Sequence, residues 1–295
     1  MSHRLSKVFL TSLLVLVSGY AQAGETVNGR LGYRAYFGGL AAADMMTIVT
    51  LTPLNYRVST NSRSTGFLDY LLPFTSRTFG RGSVIDPKNG DRGFILDSVF
   101  RGKWQEIRLE YSGGGAPRVS INPAIPIEDR DPVPHNLRSA TFDPISAFIT
   151  IALQKDAGSV CSGTLPVFNG KTRADITLSH TGHEALKANN YSVFSGPAEK
   201  CEARYRTLAG GYKKSWLRRD EPPPVIHFWI APIGPLGSWA PVRLQAEIAR
   251  ASIVVHLTQA TTGNVNRLGL QRKSSVRGGS LINRDNTTNA IMGAK

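Results

Sequence analysis

The segment Glu-Ile-Arg-Leu-Glu-Tyr at residues 106–111 shows the pattern from which the predicted fold class follows. Apolar and polar side chains alternate along it, so a strand formed here can bury one face and expose the other to water. The same period of two recurs at 56–59, 242–248 and 252–257, with glycine-rich turns such as 113–115 between the runs. The sequence therefore predicts a mostly β protein, built as one large curved antiparallel sheet or incomplete β-barrel.

Two segments depart from this alternation and predict short helices. The first, expected over 144–153, follows Asp143, a residue type that caps helix N-termini, and has proline at its first helical position. Its apolar residues, among them Phe148 and Ile149, recur at helical spacing on one face. The second, over 66–72, is apolar nearly all round and is followed by a proline. Both helices are expected to lie on the concave side of the sheet.

These helices can have one of two roles inside the sheet. They can fill its interior as plain core, or they can cover a cavity that holds a ligand. In the second case the candidate lining residues are Phe67, Leu71, Phe148 and Ile149. At each of the four positions taken singly, an ordinary core side chain is the simpler alternative.

The first 23 residues have the three parts of a secretory signal peptide. Arg4 and Lys7 supply a positive start, and an apolar run follows at 8–17. The Ala-Gln-Ala sequence at 21–23 is the small-x-small pattern that signal peptidase accepts. Cleavage after Ala23 and localisation in the periplasm are therefore predicted. An uncleaved membrane anchor is the alternative, but the apolar run is short for a membrane span.

The chain of 295 residues is predicted to fall into three parts. The signal peptide over 1–23 is followed by a single β-rich domain over 24–262 and by a basic, disordered tail over 263–295. The chain has 35 Lys and Arg against 21 Asp and Glu, a net charge of +14. The tail either binds an anionic envelope surface, such as lipid or lipopolysaccharide, or is a solvated segment without a partner. The positive charge is spread along the chain without a nucleic-acid motif, so nucleic acid is not an expected partner.

The two cysteines, Cys161 and Cys201, are expected to form a disulfide bond. An exported protein reaches an oxidising compartment, where cysteines pair. Cys201 also falls among the alternating apolar residues of its predicted strand, which face inward, as suits a buried structural disulfide. Closing a loop of about 40 residues is worth roughly 4 kcal/mol in the chain-entropy model. The alternative is a pair of free thiols, and neither cysteine lies in the Cys-x-x-Cys pattern of thiol oxidoreductases.

The sequence His-Thr-Gly-His-Glu at 180–184 is the strongest candidate for chemistry. Zinc proteases need His-Glu-x-x-His on a helix, whereas here the order differs and Gly182 weakens any helix. A loop between strands is the expected identity, with His180 and His183 as weak candidates for metal ligands. The sequence contains no Gly-x-Ser-x-Gly elbow, phosphate loop or dinucleotide fingerprint. We therefore predict no catalytic residue and no cofactor, and expect a protein that is not an enzyme.

Several segments in a fixed order resemble a bacterial family called domain of unknown function 3108. The similarity includes the start of the longer helix, a Cys-x-Gly stretch that ends in Phe-Asn-Gly, and a Gly-Pro-Ala-x-x-Cys motif. Asn169 stands where the family usually has Asp. The resemblance runs from about 29 to 258 and is carried by the segments 33–40, 66–71, 142–147, 161–170 and 195–201. It implies a periplasmic protein without an assigned activity, and it supplies no catalytic residues.

Three functions fit these observations. The leading hypothesis is a non-enzymatic periplasmic protein of cell-envelope maintenance, which carries a lipid-like ligand or a lipidated partner in a half-barrel cavity. The second is a periplasmic scaffold for protein interactions with a filled core. The third is a hydrolase that acts on envelope polymers. A sizeable apolar cavity would favour the carrier, a packed interior the scaffold, and facing carboxylates or a metal-ready histidine pair the hydrolase.

Overall fold

The computed structural model describes residues 26–126, 130–154, 160–211, 225–248 and 251–264. The predicted signal peptide lies outside these residues. So does the predicted tail, apart from Gly263 and Asn264, which belong to the last strand. Among the described helices, none has the length and apolar character that a membrane span requires.

The described residues form 13 β-strands and two short α-helices, in agreement with the predicted fold class. In chain order they are β1 (Val27–Phe37), β2 (Leu40–Leu51), β3 (Asn55–Ser64), α1 (Gly66–Leu71), β4 (Phe74–Ser83), β5 (Arg92–Phe100), β6 (Lys103–Tyr111), β7 (Arg118–Asn122), α2 (Pro144–Ala152), β8 (Gly163–Phe168), β9 (Arg173–Leu186), β10 (Gly196–Ala209), β11 (Ile226–Pro232), β12 (Trp239–Ile248) and β13 (Ala251–Asn264). The predicted helix over 144–153 is confirmed to within one residue.

All 13 strands belong to one antiparallel sheet that is not closed. Its order is β7-β6-β5-β4-β3-β2-β1-β13-β12-β11-β10-β9-β8, so the first and last strands of the chain pair with each other in the middle. Two runs of consecutive hairpins lead outward from this central pair. The edges are β7 and β8, and the segment that connects them in the sequence, 123–162, contains α2.

Helix α2 lies inside the curve of this sheet. It contacts β4, β12 and β8, which stand fourth, ninth and last in the strand order. Only a strongly curved sheet brings such distant strands to one helix of nine residues. The two ends of the sheet also approach each other, because Ile107 and Leu109 of β6 pack against Phe168 of β8. The arrangement is an incomplete barrel with α2 on its concave side.

A buried polar contact fixes the start of α2. The Asp143 carboxylate accepts hydrogen bonds from the backbone N–H groups of Ile145 and Ser146 at 2.9 and 3.0 Å. Its other oxygen lies 3.6 Å from Nε of Arg92 on β5, and both side chains are 1% exposed. The Arg92 guanidinium stacks over the Tyr111 ring at 3.7 Å. Burial raises the pKa of Asp143, and the helix N–H groups and the Arg92 charge oppose that rise.

Helix α1 departs from the expectation that it packs into the concave interior. It buries none of its side chains, and Phe67 and Tyr70 are 61% and 86% exposed. The reason is its place in the chain, because it connects β3 and β4, which are directly paired neighbours. The N–H of Thr65 donates to the carbonyl of Ala42, so the helix begins beside the start of β2. A connection this short stays at the rim of the sheet.

The predicted disulfide is present between Cys161 and Cys201, whose Cα atoms are 5.7 Å apart. Both cysteines are fully buried, in a cluster with Val160, Leu178 and Phe228 among others. The bond joins the segment that follows α2 to strand β10. It therefore holds the C-terminal side of the helix to the sheet, as Asp143 holds the N-terminal side.

Candidate functional site

An apolar cavity of about 320 Å³ lies between α2 and the sheet. Its wall is formed by residues from α2 and from strands β1, β2, β3, β12 and β13, among them Leu31, Tyr33, Met45, Val58, Ile145 and Phe148. This volume is at the lower end of the range for small-molecule sites, and such sites are mostly apolar. The cavity is thus large enough for part of a hydrophobic ligand.

The alternation of the strands accounts for the character of the wall. On β2, Met45 and Thr47 point to the same side, and on β3 Val58 and Thr60 do so. Thr47 and Thr60 are register partners, and their hydroxyl oxygens are 2.9 Å apart, within hydrogen-bond distance. The two hydroxyl groups therefore satisfy each other within the wall, which is otherwise apolar apart from Arg243. Burial also raises the pKa of Tyr33, so its phenol is neutral at physiological pH.

A second cavity of about 360 Å³ adjoins the first and shares Thr60 and Ile145 with it. Its wall includes Leu96 and Ile107 of the facing strands and Lys171 of the β8–β9 turn. The Lys171 ammonium donates to the side-chain carbonyl of Gln105. Burial, with the nearby charge of Arg130, lowers the pKa of Lys171. The combined space is therefore mostly apolar along α2, with Arg243 in the wall of the first cavity and Lys171 in that of the second.

The structure separates the four predicted lining residues. Phe148 lies on the cavity wall. Ile149, its neighbour on α2, points to the core formed with β2 and β3 and is 2% exposed. Phe67 and Leu71 lie on α1 at the rim and are 61% and 47% exposed. The strand residues Tyr33 and Met45 were missed, because alternation shows which residues share a face but not which faces curve around a helix.

Exposed apolar side chains gather at one end of the sheet. The β1–β2 turn, α1 and the β5–β6 turn all lie at this end, since alternate connections of an antiparallel meander share an edge. The N–H of Arg101 donates to the carbonyl of Pro73 and links two of these connections. We call this set the apolar rim, and it consists of Phe37, Leu40, Phe67, Tyr70, Leu71 and Phe100. The exposed cationic residues Arg101 and Lys103 lie beside it.

The histidine sequence at 180–184 lies within strand β9 rather than in the expected loop. His180 Nε2 and His183 Nδ1 are each 2.7 Å from Glu199 Oε2 on the paired strand β10. Glu184 is not part of this group, because its carboxylate accepts a hydrogen bond from the Trp229 indole at 2.7 Å. Glu199 was missed in the sequence. Glu199 lies two residues before Cys201, so both side chains are on the same face of β10. Its proximity to the histidines, however, follows from the register between β9 and β10 alone.

Comparisons with known proteins agree with the resemblance seen in the sequence. The family model described as "Protein of unknown function (DUF3108)" matches residues 32–258. No curated protein matches the chain. A solved structure titled "Crystal Structure of Beta-barrel-like Protein of Domain of Unknown Function DUF1849 from Brucella abortus" is similar, with a TM-score of 0.51 and 11% identity. The similarity covers 80% of this chain and 98% of that one, and at such identity it concerns the fold alone.

Proposed function

We propose that this chain, which belongs to the DUF3108 family of proteins of unknown function, is a non-enzymatic carrier in the periplasm. In this proposal it serves cell-envelope maintenance and holds the apolar part of a lipid-like ligand, or of a lipidated partner, between α2 and the sheet. The buried disulfide is compatible with an exported protein. Export itself depends on the predicted signal peptide, which lies outside the described residues.

The observation that carries the proposal is the apolar cavity beneath α2. Water is poorly stabilised in a space lined by side chains such as Tyr33, Met45 and Phe148. A hydrocarbon chain that moves there from bulk water is stabilised by about 0.8 kcal/mol of free energy per buried CH₂ group. Lys171 in the adjoining cavity supplies a positive charge next to this apolar space. The pair of features matches an amphipathic ligand with an acyl chain and an anionic head.

The apolar rim supports a source for such a ligand. Exposed side chains such as Phe67 and Tyr70 partition favourably into the boundary between lipid headgroups and acyl chains. Arg101 and Lys103 beside them are attracted to anionic headgroups. Docking through the rim would place the sheet end-on against a membrane. The last strand ends at the opposite end of the sheet from this rim, so a membrane contact of the basic tail would be a separate one.

Native mass spectrometry of the mature protein, purified from the periplasm without detergent, tests the carrier. We expect an added mass that extracts into organic solvent. The variant Met45→Trp, which fills the cavity, should lose that mass. The control Ile48→Trp places the same ring on an exposed position of the same strand and should keep it. A bare mass for the wild-type protein, or equal loading of both variants, would contradict the proposal.

A scaffold for protein interactions is the second candidate, and the apolar rim favours it. Exposed apolar groups of this kind also mark surfaces that bind other proteins. Crosslinking in intact cells, through photoreactive groups at Phe67 and Tyr70, separates the two functions. Discrete protein adducts together with a bare native mass would favour the scaffold. Lipid adducts would favour the carrier.

A hydrolase acting on envelope polymers is the third candidate. It is favoured by the histidine pair and Glu199, since two histidines and a carboxylate are the ligands of several catalytic zinc sites. The test is release of soluble fragments from purified envelope polymers by the metal-loaded protein. Loss of this release in Glu199→Gln, with an unchanged fold, would be required before an enzymatic role is assigned.

A further inference from the structure

The cluster of His180, His183 and Glu199 has a geometry that the carrier function does not use. We propose that these three side chains form a binding site for a divalent transition-metal ion, with Zn²⁺ as the best fit. The three ligand atoms lie within 4.8 Å of one another. Zn²⁺ takes imidazole nitrogen and carboxylate oxygen at about 2.0–2.2 Å, which sets tetrahedral ligand atoms roughly 3.3–3.6 Å apart. Each histidine nitrogen lies 2.7 Å from Glu199 Oε2, so a small outward movement of the side chains would admit the ion.

A β-bulge brings the two histidines to one face. Residues three apart in a regular strand point to opposite sides of the sheet, which would separate His180 from His183. Here the register between β9 and β10 shifts, because Gly182 pairs with Lys200 while His180 pairs with Cys201. Thr181 is therefore the extra residue, and the added position restores a common face. The paired strand then places Glu199 directly opposite His183.

The bulge is stabilised by its own residues. Thr181 Oγ1 donates to the carbonyl of Lys200 at 3.0 Å, so the unpaired position still satisfies a backbone group. Gly182 has a φ of +143°, a conformation that residues with a side chain rarely adopt. A Cβ at this position would meet no atom within 4 Å, so the requirement for glycine comes from the backbone alone. The site is thus built into the strand.

The donor set and its exposure indicate an ion with an open coordination position. Both imidazoles can donate an N–H hydrogen bond to the same Glu199 oxygen. A bound cation would replace these protons between the two nitrogens and the carboxylate oxygen. Glu199 is 13% exposed and His183 is 72% exposed, which leaves one side of the cluster open to water. Two histidines and one carboxylate with an open position are ligands for Zn²⁺ and other borderline metals, and are a poor match for Ca²⁺ or Mg²⁺.

Isothermal titration of Zn²⁺ into the mature protein without an affinity tag tests the site. We expect one ion per chain, and weaker binding by at least about tenfold in His180→Ala and in Glu199→Gln. The matched control is His135→Ala, an exposed histidine outside the cluster, which should bind as the wild type does. Co²⁺ in place of Zn²⁺ should give visible absorption bands in the wild type that both cluster variants lack.

The variant Gly182→Ala keeps all three ligands and tests the bulge. Because alanine resists the φ of +143°, we expect weaker Zn²⁺ binding together with an unchanged circular dichroism spectrum. The proposal is overturned if the wild-type protein binds no Zn²⁺ at micromolar concentrations. It is also overturned if His135→Ala loses as much affinity as His180→Ala. Neither result depends on whether the cavity holds a lipid.

Discussion

The two helices α1 and α2 gave similar signals in the sequence and have opposite surroundings in the structure. Both are short and apolar, but α2 is anchored inside the sheet, whereas α1 has no buried residue. The difference lies in their connections. Helix α2 belongs to the long segment 123–162 between the two edges of the sheet, while α1 links adjacent strands. An apolar helix is buried only where the chain is free to carry it into the core.

The variant Asp143→Ala should have the largest effect on this contrast. It removes the cap of α2 and leaves the Arg92 guanidinium buried without its partner, which costs about 3–5 kcal/mol of unfolding free energy. The matched control on α1 is Asp69→Ala, which removes one part-buried hydrogen bond from Ser64. The Ser64 hydroxyl keeps its contacts with the Phe74 backbone, so the loss should be about 1 kcal/mol. Urea unfolding measures both values. Equal losses would mean that the buried pair does not anchor α2.

Removal of the disulfide should have the next largest effect. The double variant Cys161→Ala with Cys201→Ala frees the segment after α2 from β10 and should lose about 2–5 kcal/mol of stability. The chain-entropy model predicts roughly 4 kcal/mol for this loop length. The measurement is the urea midpoint at a fixed m-value, compared with the wild type under oxidising conditions. An unchanged midpoint would contradict a structural role for the bond.

The pair Ile149→Ala and Phe67→Ala compares the packing of the two helices directly. Ile149 is 2% exposed among core residues of β2 and β3, so its truncation should cost about 3 kcal/mol. Phe67 is 61% exposed, so the loss of a larger side chain there should change stability by no more than about 0.5 kcal/mol. Thermal and urea unfolding give the same comparison independently. A larger cost at Phe67 would place α1 in the core.

The smallest effect on stability is expected for the double variant Phe67→Ser with Leu71→Ser. Both positions are exposed on the apolar rim, so the change in unfolding free energy should stay within about 0.5 kcal/mol. Binding to vesicles that contain anionic lipid should nevertheless fall, because two apolar groups leave the membrane contact. Sedimentation with vesicles measures this loss, and neutral vesicles serve as the control. Unchanged binding would separate the rim from any membrane role.

Local patterns were sufficient for much of the fold. The alternation at 106–111 predicted a strand, and β6 spans it. The cap at Asp143 placed the start of α2 correctly, because capping involves only neighbouring backbone groups. The pairing of Cys161 with Cys201 followed from the number of cysteines and the expected compartment. In each case the deciding interactions lie close in the sequence or admit only one partner.

The candidate sites depended on contacts that local patterns do not specify. Met45 and Phe148 line one cavity because the sheet curves around α2, and curvature is a property of all the strands together. Glu199 joins the two histidines because β9 and β10 pair with a bulge at Thr181. The polar residues around Gly182 had suggested a loop, but the neighbouring strand supplies the hydrogen bonds that hold them in a strand. The identity of a register partner appears only after folding.

Periodicity, capping, motif order and cysteine number are local or countable, and they were enough to predict the antiparallel β class, helix α2, the disulfide and the family resemblance. Folding of the whole chain established that β1 pairs with β13, that α1 stays at the rim and that the cavity forms beneath α2. It also decided which carboxylate meets the histidines. These features depend on long-range pairing and on the curvature of the whole sheet, and no single segment encodes either of them.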